Sequence, residues 1–525
     1  MDKFWKEIAE GDIRFRDNLQ FELKSDFTPV PNLSNNAHTQ EFYLFIPNVL
    51  QVNSNTYSKK QFYRDQTNLI RYKTPEFTFE ELLDPENPLS PLARIYELIT
   101  KPHSMENVEI IQDEVKLLGN IVRSALRKSV NELIDKLNNP SVNNEEWSHE
   151  ISAYQKDVYR FFEMFQPLQE NFSQTWTHPL LLKHFHYVND FISDSIDYYT
   201  TGLLDELRTS EHEDLKSADA NLCSILIQER ERREKKSLEP KGNVEDTMEN
   251  EYILYRKGLL NQFVLDALLL TVKRKANLQK YAHFIGSFAA GLAMLVYLIL
   301  FIWQGEVFVI NSIPFVIITT FLYILKDRMK EGIKTLYQRK AFKWFPDYTT
   351  EIRTPDGKTA IGKLTESFTW VDEDKIPKNI RDTRDQQFHT VLETFRRHEK
   401  VIYYKKRMIL KNCSAKNHAR RLGLNTIFRF NIHEFLHKAS NAFSSYASLN
   451  QDNLLIGEKR LPKVYHLNMI MVNRFFDKDL KEQCELKKFR LIIDKNGIKR
   501  VEHLRDGIHS LGLYRKSYGF NSPLL

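Results

Sequence analysis

His433-Glu434-Phe435-Leu436-His437 matches H-E-x-x-H, the pattern in this chain whose residue types and spacing spell out a reaction. On a helix, histidines at i and i+4 share a face and can bind zinc. The glutamate between them can then take a proton from the metal-bound water. Read that way, His433 and His437 are zinc ligands, Glu434 is the catalytic base, and the protein is a zinc metalloprotease. The neighbouring residues argue against it. Phe428, Phe430 and Ile432 alternate immediately upstream, which is the period of a strand. No H-x-x-G-x-x-H follows, so the third histidine of the metzincins is missing. The nearest downstream carboxylate, Glu458, lies in the turn-like run Gly457-Glu-Lys-Arg-Leu-Pro462. A zinc site needs three protein ligands and an open position. The leading expectation is therefore no catalytic residue, no cofactor and no metal. On that reading Glu434 and its flanking histidines are exposed polar groups at a strand end or the start of a short helix.

Other clusters are weaker. His178, His184 and His186 lie near Asp190, but His184 and His186 are two apart on a predicted helix and face different ways. Solvated or capping histidines are the simpler reading. The run Glu229–Lys236 mixes signs at helical spacing and reads as a salt-bridged solvent face, with no nucleic acid implied. Neither G-x-x-x-x-G-K-[ST] nor G-x-G-x-x-G nor G-x-S-x-G occurs, and 17 glycines leave little material for phosphate-cradling loops.

The elements that would have to position such residues fall into blocks. Residues 1–100 read as mixed α/β. Glu41-Phe-Tyr-Leu-Phe-Ile46 is a buried strand ended by Pro47, and Ser58 and Thr78 open capping boxes with Gln61 and Glu81. From about residue 105 the period becomes helical. Val108, Ile111, Val115, Leu118, Val122, Leu126, Val130, Leu133 and Leu137 form one stripe, ended by Pro140. Stripes through Trp147–Phe165 and Leu181–Leu203 follow, and a fourth begins at Leu222. A fifth, through Leu259 and Leu270, reads as running on into an apolar segment. Long amphipathic helices in sequence must bury their stripes against each other, so residues 101–280 are expected to form a helical bundle.

Ala282–Trp303 and Val307–Leu325 contain no Asp, Glu, Lys or Arg, and only Gln304-Gly305-Glu306 separates them. About 20 apolar residues are needed to cross roughly 30 Å of hydrocarbon as a helix. Residues 281–326 are thus expected to be a two-pass transmembrane hairpin. Lys273, Arg274, Lys275 and Lys280 precede it, and Lys326, Arg328, Lys330 and Lys334 follow it. Basic flanks stay cytoplasmic, so both termini should face the cytosol. The spacing of Gly286 with Ala290, and of Ser287 with Gly291, would let two membrane helices approach closely. Residues 327–345 read as a basic juxtamembrane helix, whose Lys326, Arg328, Lys330 and Lys334 suit anionic lipid headgroups.

After it the grammar changes. Glu351–Thr354, Lys358–Ile361, Phe368–Val371, Val401–Tyr404, Ile427–Phe430, Val464–Leu467, Phe489–Ile493 and Ile498–Val501 are strand-like, with turns at Asp356-Gly357 and Asn496-Gly497. Residues 346–525 are expected to be a β-rich cytosolic domain. The 75 basic and 69 acidic residues nearly cancel, at +6. Cys223, Cys413 and Cys484 are too scattered for a disulfide framework, as expected in a reducing compartment. Met1–Lys6 is polar and is not a cleavable signal peptide, so the hairpin should carry the targeting information.

Lys326-Asp-Arg-Met-Lys-Glu331 after an apolar hairpin, with Phe42–Pro47 and Asn496–Glu502, resembles uncharacterised bacterial membrane proteins. That resemblance implies a bacterial cytoplasmic membrane and brings no catalytic residue or substrate with it. The chain as a whole is expected to be an α+β membrane protein. It would act as a membrane-anchored cytosolic scaffold with a protein partner or self-association, the zinc metalloprotease being the alternative.

Overall fold

The computed structural model describes residues 13–504, apart from 31–32, 34, 100–104, 138–143, 176–178, 211–215, 236–246, 310–311, 386–398, 412–420, 422, 450–455 and 478. Both of its larger sheets are shared by the two ends of the chain. The four-stranded sheet joins β1 (Ile13–Asp17), β2 (Gln20–Phe27) and β4 (Gln66–Tyr72) to β9 (Leu424–Asn431), in the order β1-β2-β9-β4. The eight-stranded sheet places β3 (Asn35–Pro47) between β12 (Tyr465–Phe476) and β8 (Glu399–Lys411). β13 (Glu482–Asp494) and β14 (Gly497–Leu504) complete one side of it. β7 (Ala360–Val371), β6 (Tyr348–Arg353) and β5 (Thr271–Ala276) complete the other, with β5 at the edge. β10 (Phe443–Leu449) and β11 (Ile456–Pro462) form a separate two-stranded sheet among the described residues.

Each predicted strand overlaps one of these elements, with Thr354, Lys358, Thr359 and Val464 just outside them. The continuous apolar run of β3 fits a central strand buried on both faces. The turn before β14 needs a glycine, because Gly497 has φ +130° and a Cβ there would lie 2.0 Å from the Asn18 carbonyl oxygen. The described strands of 1–100 and of 346–525, separate in the sequence reading, are therefore interleaved in space. Backbone pairing carries no sequence mark of its partner, which is why periodicity finds strands without finding neighbours.

The two sheets pack face to face over an aromatic core. Phe42 stacks on Phe428 at 4.9 Å and Phe62 lies 4.6 Å from Phe368. After the short helices α1 (Lys59–Asp65), α2 (Phe79–Leu83) and α3 (Pro91–Ile99), the bundle comprises α4 (Met105–Leu137), α5 (Asn144–Thr175), α6 (Pro179–Thr209), α7 (Lys216–Lys235) and α8 (Thr247–Leu265). The predicted stripe of α4 is buried, Leu118, Val122, Leu126 and Val130 among its residues, whereas Leu259 of the predicted fifth stripe is exposed on α8. The same apolar cluster continues into Ile352, Leu364, Met408 and Leu410, so the bundle rests on the inner face of β6–β8. In the mixed-charge run Arg230 and Glu231 are exposed as predicted, but its first residue faces inward. Glu229 is buried, is paired with Arg232 and accepts from Ser193 of α6. His184 stacks edge-on against Phe263, and Asp190 pairs with Arg256; His178 lies outside the described residues.

α8 does not run on into the apolar segment. Tyr72 donates its N–H to the Leu268 carbonyl, 2.8 Å, and Leu270 donates to that of Ile70, 3.3 Å. The chain then enters β5, so Lys273, Arg274 and Lys275 belong to an edge strand rather than a helix end. Two long helices follow, α9 (Leu278–Val307) and α10 (Ile313–Trp344), packed on each other. Gln304-Gly305-Glu306 is not the turn. Nothing there breaks a helix, whereas Ser312 caps α10 by accepting from the Phe315 N–H and Pro314 fits its first turn. The apolar residues are thereby divided unevenly. Gly286–Val307 is 22 residues long and is apolar enough to cross a membrane by length and composition. Ile313–Leu325, before Lys326, covers only about 20 Å as a helix. One membrane-length helix, rather than two, is found among the described residues. Ala289 and Ala293 are its buried small residues, while a Cβ on Gly286 or Gly291 would meet nothing within 4 Å.

Candidate functional site

The helical pair springs from the middle of the fold, and the chemistry on display is at its root. Because β5 leads into α9 and α10 leads back into β6, the pairing of β5 with β6 clamps both helix ends. Asn277, the N-cap of α9, donates its N–H to the Asp347 carbonyl, 3.0 Å. Its side-chain amide donates to the Pro346 carbonyl, 3.2 Å, and to Thr349 Oγ1, 2.7 Å. The Asp347 carboxylate is buried. It accepts from Lys59 Nζ, 2.7 Å, from Tyr63 Oη, 2.9 Å, and from the Phe368 N–H, 2.8 Å. Lys59 and Tyr63 lie on α1 (Lys59–Asp65), whose N-cap Ser58 accepts from the Gln61 N–H, while the Gln61 side chain donates to Asp65 and does not complete the predicted capping box.

A second buried carboxylate, Glu366 of β7, sits one strand pair away. Its Oε1 accepts from Gln66 Nε2, Asn68 Nδ2 and Tyr404 Oη, at 3.0, 2.9 and 2.7 Å. Its Oε2 pairs with Arg274 Nη2 of β5 at 3.1 Å. The Arg274 guanidinium lies over the Tyr348 ring, 4.1 Å, and the Tyr63 ring, 5.1 Å. Burial, then the neighbouring carboxylates, raise Tyr63 and Tyr404 above the ordinary phenol range, so both stay protonated donors. Each carboxylate is met by at least three donors, and neither is presented as a free base. The arrangement can hold geometry between the α1–β4 segment, the large sheet and the helical pair.

Beside it lies a group poised for neutral-pH chemistry. Burial brings the Lys406 ammonium down to about 7, although Glu366 pulls the other way. Lys406 Nζ donates to Thr426 Oγ1 at 3.4 Å. Burial, with Lys406 second, lowers the stacked His38 to about 3. A lysine with such a pKa can serve as a nucleophile. These residues, however, line a void of about 10 Å³, room for one water at most. No carbonyl substrate fits.

The H-E-x-x-H residues sit apart from this root, beyond the end of β9. The strand runs to Asn431 as its alternation requires, and His433–Leu436 forms a single 3₁₀ turn. His433 and His437 are exposed, with ring centroids 5.0 Å apart. Glu434 lies 3.4 Å from His437 Nε2 rather than between two free imidazoles. Phe435 and Leu436 turn inward, and Tyr57 packs edge-on to Phe435 at 5.2 Å. Among the described residues, no group of three or more His, Cys, Asp or Glu side chains is placed to hold a metal ion. Of the basic residues after the apolar segment, Lys326 reaches back 4.1 Å over the Tyr323 ring, and Arg328 and Lys330 are exposed on α10.

Sequence reasoning passed over Asp347, Glu366, Arg274 and Lys406. A signal was there for two of them. Glu366 sits at the inward period between Leu364 and Phe368, and Lys406 at that between Tyr404 and Met408, so each is a polar residue at a core position. Asp347, in the turn between α10 and β6, carries no such mark. The chain was compared with protein-family models, with curated proteins and with solved structures, and nothing matches.

Proposed function

We propose that the protein is a membrane-anchored scaffold without catalytic activity, its bundle and double sheet held on the cytosolic face by the α9–α10 pair. The observation that carries this reading is the outward apolar surface of that pair. Phe284 is 72% exposed, Trp303 62%, Ile313 77% and Phe321 63%. An apolar patch of that extent marks a membrane or protein contact. The polar groups inside the pair support a lipid setting. Gln304 is 1% exposed and donates to the Phe315 carbonyl and to Thr319 Oγ1, 2.7 and 3.0 Å. Such a clasp gives the amide N–H groups partners where no water reaches. Both helices enter the bilayer from the same side, and Lys326, Arg328, Lys330 and Lys334 meet anionic headgroups at its surface.

Flotation of the purified chain with liposomes tests the anchor. Cysteine accessibility at Gly305 from the opposite face tests whether the tip emerges, and labelling of residues 345–504 from that face would overturn the orientation. A detergent extract that yields neither a stoichiometric partner nor self-association would count against the scaffold. The second reading, a zinc metalloprotease, is favoured by the 5.0 Å approach of the His433 and His437 rings. One zinc per purified chain, lost on His433→Ala and on His437→Ala, would establish it.

A further inference from the structure

The outer face of the eight-stranded sheet, away from the bundle, carries an open cleft of about 400 Å³ over β5–β8. Four lysines line it: Lys273, Lys275, Lys363 and Lys411. Strand register fixes their spacing. Lys273 is opposite Glu351, and Glu351 is opposite Lys363, so the two ammonium-bearing positions lie two strand spacings apart, about 10 Å. Lys275, two residues along β5, points to the same side.

The one carboxylate in the lining, Glu351, is engaged by Arg353 Nη2 at 3.0 Å. None of the four lysines has an ion-pair partner among the described residues. The same face behaves differently a few positions away, where Lys405 and Arg474 both reach Glu41, at 3.1 and 3.7 Å. A solvated charged face of the ordinary kind interleaves its signs, as that neighbouring stretch does. Four unneutralised ammonium groups around one concavity repel each other until an anion arrives.

We infer that this cleft binds a phosphate-bearing anion. Lysine ammonium groups are compact point charges on flexible stems and suit phosphate oxygens approached from several directions. The volume lies in the range of small-ligand sites. Thr349, whose Oγ1 accepts from Asn277, keeps its own proton to donate, and Asn35 supplies an amide at the β3 end. Because Asn277 stands at the start of α9 and donates to Thr349, ligand binding here would also load the root of the helical pair. Two sources share this chemistry, a soluble phosphate compound and a phospholipid headgroup. The site does not depend on the scaffold reading.

Lysine acylation read by mass spectrometry tests it on the full chain in nanodiscs. In phosphatidylcholine discs all four lysines should react freely. Inorganic pyrophosphate added to those discs should cut the reactivity of the four several-fold if a soluble phosphate is the ligand. If only discs containing phosphatidylglycerol give that protection, the ligand is a headgroup. The double variant Lys273→Gln, Lys363→Gln should abolish protection at Lys275 and Lys411 while leaving the thermal midpoint unchanged. Unaltered reactivity at all four with both probes overturns the proposal. Lys330 on α10 serves as the internal reference. Its protection by phosphatidylglycerol alone would report the membrane surface independently of the cleft.

Discussion

α4 and α9 are nearly the same length, 33 and 30 residues, and meet opposite fates. α4 keeps its apolar residues to a stripe, and that stripe is buried from Val108 to Leu137. α9 is apolar on every face between Gly286 and Trp303, and in that stretch only Ala289 and Ala293 are buried. The difference lies in arrangement more than in apolar content. A stripe can be satisfied by neighbouring helices in water, whereas an all-round apolar surface needs a surrounding medium. Gln304 sharpens the point, since the one buried polar side chain at the tip of α9 is answered by α10.

The comparison can be broken most forcefully with a single charge. Val122→Asp in α4 should cost about 4 kcal/mol or more, because a carboxylate would be buried without a partner. Ile299→Asp in α9 should leave the unfolding of the bundle and sheets within about 0.5 kcal/mol. It should instead weaken liposome partitioning by about 2.5–3.5 kcal/mol if that residue sits mid-bilayer. Denaturant unfolding and flotation of both variants read the contrast. Equal destabilisation by the two would mean that α9 is packed like α4.

The joint between the two regimes comes next. Asp347→Asn replaces an acceptor of three hydrogen bonds by a group that can accept at only one atom. We expect a loss of about 2 kcal/mol, with faster amide exchange at Asn277, whose N–H is held by the Asp347 carbonyl. Unchanged exchange there would show that the carboxylate does not secure the root.

Lys406 gives a smaller effect, visible as a pH slope. Its folded pKa, about 7, lies below the ordinary lysine value of 10.5. Between those values the unfolded chain holds a proton that the folded chain has released, so stability should rise with pH from about 7 towards 10. Below about 7 both states are charged and the folded state bears the whole cost of burial. Lys406→Met should flatten the slope and raise stability at pH 7. A parallel slope in the variant would locate the titration elsewhere. The smallest effect belongs to the H-E-x-x-H turn. Glu434→Gln should change stability by no more than about 0.5 kcal/mol and leave cellular activity unchanged. A loss of orders of magnitude in a proteolytic assay would reinstate the zinc reading.

Much of this was legible in the chain, for reasons that the residues make plain. The 3.6-residue stripe from Val108 to Leu137 and the two-residue period at Phe428–Ile432 are local, and local patterns announce helix and strand directly. The turn of the helical pair was misplaced because Gln304-Gly305-Glu306 looks polar. In the structure it remains helical, and the Ser312 cap and Pro314 set the break. Lys273–Lys275 looked like a membrane flank, yet these residues face β6 as a strand. The root cluster was hidden for a different reason. Gln66 and Glu366 are 300 positions apart, and nothing in either neighbourhood names the other.

The central place of β3 has a consequence for biosynthesis. Tyr43 pairs with Tyr403, a separation of 403 − 43 = 360 positions. At about 5–20 residues per second, roughly 20 to 70 s separate the emergence of this strand from that of its partner. Through that interval β3 waits as an unpaired apolar edge while the bundle and the membrane-length helix leave the ribosome. Insertion would then tether the nascent chain before its sheet can close, and a segment rich in Phe, Tyr and Leu would need shelter for the whole of that delay.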